Sequence, residues 1–148
     1  MKRILFVILL ILTACSPRPG NLLDMRLRGH ENLALHIHPT LEIEVDGETL
    51  PIPLNMGAEP GKMRLIHTHE EPNVLHVESP VPHTFVIGDF FTIYGKTFNR
   101  DCIYEYCIDD EHTLTVTVNG VPDDRFEKIE LRDKDVIRIV YAHKNDTK

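Results

Sequence analysis

Tryptophan is absent from the 148 residues, and basic side chains are outnumbered, with 16 Lys and Arg against 23 Asp and Glu. The formal net charge is −7. An acidic chain without basic clusters does not offer the phosphate-neutralising surface that nucleic acid requires. It is also repelled by anionic lipid, so attachment to a membrane by charge is disfavoured. There is no low-complexity run and no clear internal repeat beyond a doubled His-x-His, which leaves a repeat array without support. Cysteine is scarce, with three residues, and none stand as Cys-x-x-Cys, so a thioredoxin-like redox site is not expected. The long apolar run, Ile4 to Leu12, is confined to the N-terminus and is shorter than the roughly 20 residues of a comfortable membrane span.

That apolar run follows Lys2 and Arg3 and ends at Leu12-Thr13-Ala14-Cys15. A basic start, an apolar stretch and small residues before the end are the marks of a secretory signal. The last four residues resemble the lipobox of bacterial lipoproteins. The resemblance implies cleavage after residue 14, a thioether from Cys15 to diacylglycerol and acylation (palmitate or similar) of the freed amine. Two or three chains anchor far better than one, at ~0.8 kcal/mol per buried methylene. Ser16 is not the aspartate that signals inner-membrane retention in that family. The implied location is the cell envelope, on the periplasmic face of the outer membrane if the cell has one. With Cys15 consumed, Cys102 and Cys107 remain in an oxidising compartment, where a disulfide closing a small loop is the first reading and a metal role the second.

Residues 15–32 read as the lipidated cysteine, a tether broken by Pro17, Pro19 and Gly20, and a lead-in segment. Residues 33–144 read as one β-rich domain, and 145–148 as a tail. Leu33, Leu35 and Ile37 alternate with Ala34, His36 and His38, and Leu41, Ile43 and Val45 alternate with Glu42 and Glu44. Asp46-Gly47 predicts a two-residue hairpin turn, with Leu50, Ile52 and Leu54 on an edge strand marked by Pro51 and Pro53. A second hairpin is predicted around residues 70–73. Asp89 reads as the cap of a short helix carrying Phe90, Phe91, Ile93 and Tyr94 and ended by Gly95. The C-terminal third is β again, with turns at Asn119-Gly120 and Arg132-Asp133. The fold class is α+β, predominantly antiparallel β with one short helix and a β-grasp-like C-terminal part.

Of nine histidines, most fall between residues 36 and 83. Residues i and i+2 of a strand share a face roughly 6.6 Å apart, so His36/His38 and His67/His69 each present two imidazoles together. With residues 70–73 as the loop, His67 opposes His76, and His67, His69 and His76 share one face that Glu78 continues. A one-residue slip would turn His76 away. A facing strand with His36 and His38 would then complete four or five ligands. The bland alternative is that these are the polar halves of amphipathic strands. His83 is a weaker candidate, and His30, His112 and His143 read as surface. An imidazole set suits zinc or copper(II). Met56 and Met63 offer thioethers to copper(I), although methionine near a hairpin more often packs in the core.

Gly61, His67 and His69 resemble the opening of the first cupin motif, which implies an all-β barrel as an alternative fold. The glutamate of that motif falls here at Asn73 or Val74. A longer pattern resembles a group of exported, histidine-rich microbial proteins that brings no established activity. It includes His36-Ile37-His38-Pro39, His67-Thr68-His69-Glu70, His76-Val77-Glu78, Gly88-Asp89-Phe90-Phe91, Cys102, Cys107 and Val118-Asn119-Gly120.

Three functions follow. The first is a lipid-anchored envelope protein that binds zinc or copper through His36, His38, His67, His69 and His76. The second is a metal-dependent hydrolase with Glu70, Glu71 or Glu78 as general base. The third is a non-metal interaction module with dispersed histidines, pH sensing being a variant of it. The sequence leans away from an enzyme, since no His-Glu-x-x-His signature is present, and it names no protein partner.

Overall fold

The computed structural model describes residues 21–145; the signal segment, Cys15 and the first part of the tether lie outside the described residues. The chain is mostly β with one short helix, arranged in open sheets. No closed barrel occurs among the described residues, so the cupin-like alternative does not hold. None of the described helices is long and apolar enough to cross a membrane.

Two sheets share one hydrophobic core. The smaller sheet uses β1 (Leu35–Ile37) and, later in the chain, β6 (Ile66–His67) and β7 (His76–Ser79), in the order β1-β7-β6, both pairs antiparallel. The chain leaves this sheet at buried Pro39 and enters β2 (Thr40–Val45) of the larger one. Two main-chain hydrogen bonds stitch the sheets there, Leu75 N–H to the Pro39 carbonyl at 2.9 Å and Leu41 N–H to the Asn73 carbonyl at 2.8 Å.

The Asp46-Gly47 turn is present. Asp46 and Gly47 have φ of 48° and 83°, the positive values that a type I′ hairpin turn demands. The return strand β3 (Glu48–Thr49) is shorter than the sequence suggests. Pro51 and Pro53 have no N–H to give a ladder, and Leu54 is exposed. Two small hairpins follow elsewhere: β4 (Ala58–Glu59) with β5 (Lys62–Met63), and β8 (Cys102–Ile103) with β9 (Tyr106–Cys107). Cys102 and Cys107 face each other in the second and are joined by the expected disulfide.

The larger sheet is completed by β10 (His112–Val118), β11 (Val121–Pro122) and β12 (Val136–His143), in the order β11-β10-β12-β2-β3. The central strand β12 runs antiparallel to β10 but parallel to β2, so the sheet is mixed. Leu41, Ile43, Val116, Ile137 and Ile139 are buried on its inner face.

The helix α1 (Ile87–Tyr94) begins earlier than expected. Asp89 is not its cap. Val86 holds that position, and the Asp89 carboxylate reaches back from the first turn to accept the Val86 N–H at 2.9 Å. This is half of a capping box, and it places a negative charge at the positive end of the helix dipole. Gly95 ends the helix in the left-handed conformation, as expected. Phe90 and Phe91 are fully buried, and α1 packs against β6.

Candidate metal centre

The smaller sheet carries the site. Its central strand β7 is buried on both faces. Val77 turns into the core, and Glu78, one residue on, is also fully buried on the other side. The register sets who stands beside whom: His67 opposes His76, as the loop length implied, and His36 opposes Glu78. His38 lies one residue beyond the last paired position, Ile37 opposite Val77, and so stands beside His76. His36 and His38 therefore come from a neighbouring strand of the same sheet, not from a facing layer. All five predicted histidines gather on one face.

They do not converge on one point. Among the described residues they form two trios, His67/His69/His76 and His36/His38/His76, each with ligand atoms within 4.8 Å of one another. The inner trio is the more buried. His67 is 1% exposed. Its Nδ1 lies 3.0 Å from the Arg64 carbonyl, so this nitrogen donates and Nε2 keeps its lone pair for the site. His67 Nε2, His69 Nε2 and His76 Nδ1 are all buried and have no hydrogen-bond partner among the described residues. Buried polar atoms are nearly always satisfied, and three neighbouring orphans of the same metal-ligating type point to a shared ligand.

The backbone holding this trio is pinned. Thr68, between His67 and His69, is buried. Its hydroxyl donates to the Pro53 carbonyl at 2.7 Å and accepts the Met56 N–H at 3.1 Å. Gly57, at φ +73°, lies so close to β6 that a Cβ there would meet the Ile66 carbonyl oxygen at 2.8 Å. A cleft of about 290 Å³ gives access to His67 and His69 from the side of His30 and Arg28.

Glu78 is the acidic member. Its carboxylate is completely buried, and its partners are imidazoles: His30 Nδ1 at 2.8 Å and His36 Nε2 at 3.1 Å. No Lys or Arg pairs with it among the described residues. An ionised carboxylate at such depth is costly unless positive charge is near. His30 was expected at the surface. It lies outside any strand pattern, in a bend after Gly29, and no periodicity marks it. The lead-in segment brings it here, because Leu27 is buried and exchanges two main-chain hydrogen bonds with Met63. His83 stays outside the cluster and packs edge-on against Phe85. His112 and His143 oppose each other on β10 and β12 and form a third trio with Asp46, where Asp46 and His143 are exposed.

Two of the imidazoles, His67 and His76, are shifted toward their neutral, metal-ligating form. Burial lowers His67, with Glu78 and the Arg64 carbonyl opposing. Burial, then the neighbouring His69, His38 and His67, push His76 down to about 4. A histidine lowered on folding leaves stability unaffected above its unfolded value of 6.5 and removes it as the pH falls toward the folded value. The metal-free protein is therefore expected to lose about 2 kcal/mol between pH 6.5 and pH 4 from His76, after discounting for its partial exposure. Urea unfolding with chelator across that range checks it, and a His76→Gln variant should flatten the slope. An unchanged slope in the variant would contradict the assignment.

Compared with known proteins, the chain matches no family model, no curated protein and no solved structure.

Proposed function

We propose that this chain is a lipid-anchored protein of the cell envelope that binds a transition metal, zinc or copper, through its clustered histidines. The observation that carries the reading is a cluster of three buried imidazole nitrogens that have no hydrogen-bond partner among the described residues. Three neutral nitrogens suit a tetrahedral ion, with ligands at ~2.0–2.1 Å and the fourth position left to water or another group. The buried Glu78 carboxylate supplies compensating negative charge next to the imidazoles: it hydrogen-bonds His30 Nδ1 and lies 3.1 Å from His36 Nε2, where carboxylates commonly stand beside metal-binding histidines. The proposed anchor rests on the Leu12-Thr13-Ala14-Cys15 sequence.

The five-stranded order β3-β2-β12-β10-β11, with the first strand of the sheet parallel to the last, supports a β-grasp arrangement. That likeness carries no chemistry of its own.

The test is elemental analysis of mature protein made without a histidine affinity tag. The wild type is expected to hold at least one zinc or copper ion per chain, and His67→Ala/His69→Ala at least one ion fewer. Equal, sub-stoichiometric metal in both proteins would sink the proposal.

A further inference from the structure

We propose that the site is a two-ion centre in which the His76 ring is shared, one nitrogen to each ion. This rests on the metal-binding reading and goes beyond it in number and connection. Five imidazoles are more than one tetrahedral ion takes, and they fall into two trios that have only His76 in common. His76 sits between the pairs, its ring centroid 3.9 Å from that of His69 and 4.6 Å from that of His38. Imidazoles around one tetrahedral ion have centroids roughly 5 Å apart. The inner trio has centroid distances of 5.4, 5.4 and 3.9 Å, and the outer trio 4.6, 4.6 and 6.4 Å. Each trio averages close to that spacing, and small ring movements about the shared His76 would even out the 3.9 and 6.4 Å pairs around an ion of its own.

A nitrogen lone pair binds one ion, so membership of both trios requires both nitrogens of His76. Neutral imidazole offers only one lone pair, because the other nitrogen carries a proton. Binding of the second ion therefore releases that proton to solvent, and the resulting imidazolate donates a pair at each end. No electron is transferred. The two ions and the imidazolate bring net positive charge beside buried Glu78, which had only histidine partners. The inner ion is enclosed by His67 and His69, while the outer one lies against exposed His36.

The test loads tag-free, metal-free protein with copper(II), counts bound ions by native mass spectrometry and integrates the electron paramagnetic resonance signal at liquid-helium temperature, where a coupled pair occupies its spinless ground state. The expected wild type binds two copper ions per chain and shows only a small part of the two-spin intensity, because imidazolate couples the spins. His36→Ala/His38→Ala and His67→Ala/His69→Ala each retain one ion, and the one-spin signal returns in full. A single ion in the wild type overturns the two-ion centre and leaves the metal-binding reading standing. Two ions with full two-spin intensity overturn the bridge. No bound ion overturns this proposal together with the reading beneath it. The wild-type measurements decide each case without relying on the folding of any variant.

Discussion

Zinc at one hundred times its dissociation constant is expected to raise the melting temperature of the metal-free protein by about 10 °C. A ligand that binds only the native state adds about 2.7 kcal/mol at that concentration. For a domain of this size each kcal/mol moves the midpoint by about 4 °C. The gain has a structural source. Without an ion, the buried nitrogens of His67, His69 and His76 and the Glu78 carboxylate are left poorly compensated on one face of the small sheet. Differential scanning calorimetry with zinc and then with excess chelator measures the effect. A midpoint that stays within ~1 °C throughout would mean that the imidazole cluster does not take the ion.

Phe91→Ala is expected to cost about 3–5 kcal/mol, the range for removing a fully buried aromatic side chain. That is a large part of the ~5–15 kcal/mol by which a domain is stable. Phe91 is buried, and its ring lies 5.2 Å from Phe90 and 4.7 Å from Phe98. It joins the single described helix to the segment after it. The loss should appear as a lower urea midpoint with an unchanged slope. Since α1 also packs against β6, the variant loosens the support beneath His67. A cost under ~1 kcal/mol would show that the helix does not carry this part of the core.

The hairpin half of the site was legible because it is local. Strand periodicity and a four-residue loop are enough to set His67 opposite His76 and to turn Glu78 to the same face. The His36/His38 pair was legible as a pair, but its placement was not. The contact of β1 with β7 joins residues some forty positions apart, and no short-range pattern says whether such a strand lies beside or across. His30 was missed for the same reason in stronger form. A loop position gains its partner only when Leu27 docks on Met63. The helix start was displaced because Asp89 serves equally well as a cap or as the first-turn carboxylate, and the sequence alone does not choose. The short return strand records the opposite failure: an alternating apolar pattern from Leu50 to Leu54 gave way to two prolines without N–H groups.

The position of β12 bears on how the chain folds. It is the last strand of the described chain to be synthesised, yet it lies in the middle of the larger sheet, between β10 and β2. Its parallel partner β2 begins at Thr40 and pairs with Val136. Pairings so distant in sequence are slow to form, because a long loop must close before any contact rewards it. Until β12 arrives, β2 and β10 have no common neighbour, and the strands of the larger sheet stand as two separate hairpins, β2-β3 and β10-β11. The larger sheet is thus assembled in one late step, after nearly all of the domain has been made.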